Sequence, residues 1–585
     1  MRVRKQLKWG FLPSLFCLLA LLVAACGSTP GQPTTGTSHQ KASTDKQVFS
    51  PDLEYGVGDI ATFDPALVQD APSIYAINDV FTGLIELNDQ EQPVCYLCST
   101  YSVGPDKVTW TFKLKPNLKF SDGTPLTSQD VVYSINRALA PSMQSPVAPY
   151  YLRYIKDATD YNGGKVKTLI GDSLKTPDPD TVVIIASQPV PFFLDTLTYP
   201  TSYVVEKSVI DKWGKNWTDH LADNGGQGGD GPWKVQEYTH SKQIVFVPNP
   251  YYYGKKPQLN KLVYTFYKEQ DTTYDVYQVD GIDMTTIPIP QYTAATKRPD
   301  FHKVPQLWIN YYTMNYLQKP FDVTECRQMF SLAINRDLIV SSVWKGSLIP
   351  TYHIVPQGMY GYNPSLTGPD NTTATAGDPA KAKQLLATCM SKEGYSSVSQ
   401  FPSITLTYAS GGSQAAKNEV SAMQQMWQST LGISVKINDI DFNKLIGDEA
   451  LGCSNPLQFY AGPAWITDYP DPEDWTTLQF DKGAAQNSMC FGQNKGPDAS
   501  LQQSIQQQLE QADLMQDPTA RLHTYNQLEQ QLVNEVAWMP VEQVTTTYLL
   551  KPCVQGFALN AQGLIPPDDW SNVYISTDTP CAKTS

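Results

Sequence analysis

Histidine is scarce in this chain, at 6 residues in 585, and no stretch after residue 26 approaches eighteen uninterrupted apolar residues. The second shortage leaves no candidate for a membrane-spanning helix beyond the N-terminal region. The first leaves little material for imidazole catalysis. His39, His220, His240, His302, His353 and His523 are scattered, and none falls in a recognisable catalytic motif. The chain also has no GxSxG elbow, no HExxH and no P-loop. Positive charge is short as well: 43 Lys and Arg against 57 Asp and Glu give a formal charge of −14. That balance argues against nucleic acid and anionic surfaces as partners. "CYLC" (95–98) has no second CxxC and no nearby His pair, which argues against zinc. "GGQGGDG" contains a literal GxGxxG at Gly226, Gly228 and Gly231, but "PWKVQEY" after it has strand character. A nucleotide site needs a helix at that point, so this is read as a loop. The reading is of a non-enzyme with no metal and no cofactor.

What is present begins with a processing signal. Arg2, Arg4, Lys5 and Lys8 precede the apolar "FLPSLFCLLALL", a signal-peptide pattern too short to span a bilayer comfortably. "VAAC" ends it and looks like a lipobox, making Cys26 the expected lipidation site and residues 1–26 a lipoprotein signal. Acylation there would hold the protein at the outer face of a bacterial membrane. Residues 27–49, rich in Ser, Thr, Gly and Pro at the start, read as a flexible tether. Removing the four basic residues takes the formal charge to about −18. Eight further cysteines suit an oxidising compartment, although eight allow 105 pairings. Proximity along the chain suggests Cys95–Cys98, Cys326–Cys389, Cys453–Cys490 and Cys553–Cys581.

The remainder has 41% hydrophobic and 17% charged residues, the texture of a folded α/β protein with several domains. "KVTWTFKLK" alternates as a half-buried strand, and "SQDVVYSINRALA" has the spacing of an amphipathic helix with Ser128 as N-cap. Further strands are expected at 181–187, 242–249 and 261–267. After about residue 310 helices dominate, at 323–344, 378–394, 414–432 and in two runs between 499 and 536. "AWITDYPDPEDW" (464–475) holds four carboxylates, which could serve a catalyst, a metal or a cationic ligand. It lacks EF-hand spacing and carries two prolines, which weakens a calcium reading.

In order along the chain come "FDPALVQDAPSIYAINDVFTGLIEL", "WTFKLKPNLKFSDGTPLTSQDVVYSINRAL", "PVPFFLDTLTYP", "GDGPWKVQEY", "VFVPNPYYYG", "YQVDGID", "FDVTECRQMFSLAINRDLIV", "WITDYPDPEDW" and "RLHTYNQLEQQLVNEVAWMPV". This series resembles the solute-binding family 5 lipoproteins of bacterial ABC importers, especially the oligopeptide-binding type. The resemblance implies a two-lobed, type II periplasmic-binding-protein-like α/β fold with an extra domain inserted in the first lobe. Lobe one would take 50–90, 215–310 and 545–585, the insertion 91–214, and lobe two 311–544. It implies a monomer that captures short peptides between closing lobes and delivers them to a permease and its ATPase. The carboxylate facing the peptide ammonium would be Asp468, three residues after Trp465 and just before Tyr469. Trp465 would wall the site, and the backbone from Gly462 through Ala464 to Thr467 would offer a strand edge. Asp471, Glu473 and Asp474 would be turn and capping residues, since Pro470 and Pro472 prepare a helix start. Glu54, Tyr55 and Trp233 are the contacts expected from lobe one. The same fold could instead hold an oligosaccharide, a nickel chelate or another small solute, or serve signalling or adhesion.

Overall fold

Two long strands, Phe301–Met314 and Met539–Leu550, pair antiparallel from Phe301 against Leu549 to Tyr312 against Met539. They are seen in a computed structural model that describes residues 39–52, 58–462, 464–484 and 486–583. Every residue of Met539–Leu550 is buried, so the strand is covered on both faces and its sequence loses the alternation of a half-exposed strand. At one end of the pair, Tyr548 and Leu550 join a hydrophobic core built from residues 49–284 and 548–575. At the other, Tyr311, Met539 and Val541 join a core built from residues 307–541. The pairing shifts register between Pro305 and Ile309, in the crossing between the cores. This is the two-lobed α/β arrangement expected.

In the first lobe, Val48–Phe49, Lys261–Thr265, Gln243–Pro248 and Trp233–Thr239 form one sheet in that order. A second sheet has the order Cys98–Val103, Thr109–Leu114, Thr181–Ile185, Leu174–Asp178. Trp110, Phe112 and Leu114 are buried while the residues between them are not, as the alternation predicts. The helix Ser128–Ala138 is capped one residue earlier than expected. The Asp130 carboxylate accepts from both the N–H and the hydroxyl of Thr127, at 2.8 and 3.0 Å. Ser128 instead donates to the Asp178 carbonyl at 2.7 Å, tying the helix to the sheet.

The second lobe carries the helices. The run at 323–344 is two of them, Thr324–Leu332 and Arg336–Ser342, because Asn335 caps the second by accepting from Leu338 N–H at 2.8 Å. Pro379–Glu393, Gln414–Leu431, Ala499–Asp513 and Pro518–Asn534 lie where expected. All four cysteine pairs inferred from proximity are disulfides. The end of the stretch read as a tether, 27–49, is folded. Val48 and Phe49 pair parallel with Lys261 and Leu262, and the Gln47 amide donates to the Ile575 carbonyl at 2.8 Å, so this end belongs to the fold.

Candidate ligand cleft

The acidic stretch is a loop lying between the two cores. Trp465 and Ile466 pair with Ile309 and Trp308 of the long strand on one side, and no strand pairs with them on the other among the described residues. Ala464, just before, has a left-handed backbone at φ 70°, a strained conformation for a residue with a Cβ. The loop ends in the short helix Pro472–Trp475, where proline at the first position leaves no bonded N–H to lose.

Each acid after Pro470 has a distinct set of partners. Asp471 caps the helix, accepting from Glu473 N–H at 2.9 Å, and also takes both arms of Arg521 at 2.6 Å. Glu473 is wholly buried and accepts from Arg153, from Tyr469 and, at 3.0 Å, from the Tyr154 hydroxyl. Asp474 gathers the loop itself. Its Oδ2 accepts from Trp465 Nε1 at 3.3 Å, the Thr467 hydroxyl at 3.4 Å and Asp468 N–H at 3.1 Å. The expectation of turn and capping roles therefore holds for Asp471. Glu473 and Asp474 instead fasten the loop to the first lobe and to itself.

Among the described residues Asp468 and Asp474 have no cation, and of the two only Asp468 lines a cavity. It is half-buried in the wall of a cavity of about 500 Å³, beside Ala464, Trp465 and Thr467 and across from Tyr151 and Tyr199. Burial pushes its carboxyl up to about 7, while a hydrogen bond from the Tyr151 hydroxyl pulls the other way. The Tyr151 and Tyr199 rings stack at 3.7 Å. Burial first, and the Asp468 charge second, raise both phenols, so they remain hydrogen-bond donors at neutral pH. Exposed Phe442 and Ile466 add apolar surface to the wall.

Ala464, Trp465, Thr467 and Asp468 are thus brought together, and three other expected residues are not. Tyr469 is only 2% exposed and turns away into the first core, its ring parallel to Phe192 at 6.3 Å. Gly462 is outside the cavity wall. A Cβ there would meet the Tyr311 ring at 2.2 Å, so the glycine serves close packing. Trp233 is a core residue, fully buried and edge-on to Trp570 at 5.4 Å. Glu54, Tyr55 and Cys26 lie outside the described residues. The sequence reading missed Tyr151, Tyr199 and Trp308. Tyrosine is too common in this chain for any one to signal a site.

Two further cavities adjoin the first. One of about 310 Å³ shares Trp308 with it and is lined by Asn310, Ser347 and Thr545–Thr547. Another of about 60 Å³ shares Tyr75 and Leu564 with the first and Thr286 and Thr546 with the second. Among the described residues, Asp283 with Cys553 and Cys581 is the one grouping that could hold a metal ion, and both sulfurs there are disulfide-bonded. No helix of the described residues is long and apolar enough to cross a membrane.

The sequence and the fold have counterparts in known proteins. The chain is 27% identical over 577 residues to the dipeptide-binding protein DppE of Bacillus subtilis (strain 168), covering 96% of this chain and 98% of that one. It is 27% identical over 531 residues to the periplasmic oligopeptide-binding protein OppA of Escherichia coli (strain K12), covering 88% and 91%. The structure of the Escherichia coli murein tripeptide binding protein MppA superposes with a TM-score of 0.71 at 25% identity, over 91% of this chain and 99% of that one. Residues 92–487 match the family described as "Bacterial extracellular solute-binding proteins, family 5 Middle", and the chain belongs to that family.

Proposed function

We propose that this protein is the peptide-capturing subunit of an ABC importer, held outside the cell by lipid on Cys26, acting as a monomer without enzymatic activity. The observation that carries the reading is Asp468: a half-buried carboxylate in a cavity wall, with no Lys, Arg or His partner among the described residues, beside a strand with one unpaired edge. A peptide entering extended would add its main chain to the free edge of Trp465–Ile466, whatever its side chains. Its α-ammonium would meet Asp468, with Tyr151 and Trp465 beside the pair. The relatives, dipeptide-, oligopeptide- and murein tripeptide-binding proteins by name, support the same class of ligand. The lobes would divide as the two cores do, with the sheet at 98–185 as the inserted domain, and would close on the ligand before delivery to the permease.

The test compares free and N-acetylated forms of one peptide, with the protein freed of residues 1–39. Acetylation removes the ammonium, so affinity should fall by about 2–5 kcal/mol, as expected when one partner of an enclosed charge pair is deleted. Equal affinity for both forms would sink the role given to Asp468. Binding of an oligosaccharide or metal chelate in preference to any peptide would select the other reading of the fold.

A further inference from the structure

The peptide reading accounts for one end of the ligand; the charge pattern of the cleft bears on the other. Four carboxyl groups line the three joined cavities: Asp70 and Asp468 in the first, Asp52 and Asp79 in the smallest. Among the described residues, none of the three cavities is lined by Lys, Arg or His. Positions 53–57, 463 and 485 are Leu, Glu, Tyr, Gly, Val, Pro and Ala in sequence, none basic. Two lysines come close from outside. Lys303 Nζ donates to the Gly346 carbonyl at 3.0 Å, next to the lining residue Ser347, and exposed Lys268 lies against Gly58.

The second compartment has neutral polar groups in place of a cation. Trp308 Nε1 and the Ser347 hydroxyl, both in its wall, are buried without a hydrogen-bond partner among the described residues, and Ser347 is only 3% exposed. Unpaired buried donors of this kind are uncommon and fit a ligand that brings acceptors. Peptide carbonyls are such acceptors and carry no charge. A carboxylate in the same place would be desolvated with no cation in the lining to balance it, the costliest arrangement for a buried ion.

Resting on the peptide reading, we infer that this protein selects peptides long enough for the terminal carboxylate to lie outside the cleft. The Asp468 compartment holds the amino end, and the compartment of Trp308 and Ser347 holds uncharged main chain. Short peptides, whose carboxylate would fall inside, are discriminated against. The selection is by length and terminal charge, with no charged contact at the carboxyl end.

Isothermal titration of the wild-type protein, freed of residues 1–39, with alanine-based peptides of two to eight residues, each as free acid and as C-terminal amide, tests this. For the shortest peptides the amide should bind on the order of tenfold or more tighter than the acid, the penalty for burying an unpaired carboxylate. For the longest the two forms should agree within about twofold, because an exposed carboxylate is screened. Ser347→Ala should weaken long acids and long amides alike. Free-acid di- or tripeptides that bind as tightly as their amides overturn the inference while leaving the peptide reading intact. A preference for acids that disappears in Lys303→Met or Lys268→Met also overturns it and assigns that lysine the carboxylate. Failure of every peptide to bind, acid or amide, overturns both together.

Discussion

Arg153 and Glu473 are 320 residues apart in sequence and form an ion pair between the two lobes. Glu473 is wholly buried, and the Tyr154 hydroxyl, on the same segment as Arg153, donates to the same carboxylate oxygen at 3.0 Å. Tyr469, in the loop with Glu473, carries the contact further by packing into the first core. The loop that presents Asp468 is therefore held from the opposite lobe.

Deleting one member of this pair leaves a buried charge, which costs about 3–5 kcal/mol where the site cannot relax. Arg153→Met is expected to lower the melting temperature and to weaken peptide binding, although Arg153 is absent from the wall of the Asp468 cavity. Arg153→Met combined with Glu473→Gln should recover much of the loss, since neither lobe then buries an unpaired ion. Calorimetry on the three variants measures both effects. A double variant no better than Arg153→Met would show that the pair acts through something other than its charge.

The Asp468 carboxyl, raised by burial to about 7 in the empty protein, must be ionised to hold an ammonium. Below that pH each bound peptide has to displace a proton, so affinity should fall by about tenfold per pH unit below 7; above about pH 8 it should fall again as the peptide ammonium, with a pKa of about 7.7–8.0, loses its proton. Titrations between pH 5.5 and 8.5 give the slope. Asp468→Asn should bind more weakly by about 2–5 kcal/mol near neutral pH and lose the slope on the acid side. A slope that survives in Asp468→Asn would place the titrating group elsewhere.

Stability of the empty protein should run against pH in the alkaline direction. Burial raises Asp79, Glu86 and Glu449 to about 8 and Asp230 to about 7, well above the usual carboxylate range. A carboxyl whose pKa is raised on folding contributes stability that is fully present below its unfolded pKa of about 4 and is lost as pH rises through the folded value. Melting temperature is accordingly expected to fall between pH 6 and pH 9. A melting temperature that climbs over this interval would contradict the burial of these groups as protonated acids.

Cys326 and Cys389 join the helices Thr324–Leu332 and Pro379–Glu393 and close 63 residues of chain. Loop-closure entropy for that length suggests a loss of about 4 kcal/mol on removing the bond. Cys326→Ala with Cys389→Ala should lower the denaturant midpoint of the second lobe more than reduction of Cys95–Cys98, which spans 3 residues. Equal effects from the two would argue against an entropic origin.

Much of this protein could be read from residue order. The alternation of Trp110, Phe112 and Leu114 and the proline that starts Pro472–Trp475 are local signals, because a strand face or a helix start involves only neighbours. The proximity of paired cysteines and the order of motifs were equally available. The family resemblance, through its place after Trp465, singled out Asp468, which the structure puts in a cavity wall. Tertiary structure alone decided which aromatics face the cleft. Tyr151 and Tyr199 line it while Tyr469 and Trp233 are core, although nothing in their sequence neighbourhoods separates them. It also decided the fate of the four acids at 468–474. Arg153 and Arg521 arrive from distant segments and neutralise Glu473 and Asp471, Asp474 is taken up by hydrogen bonds within the loop, and Asp468 is left facing the cavity with no cation among the described residues. Burial and charge pairing depend on what the rest of the chain brings to a position, which local sequence does not encode.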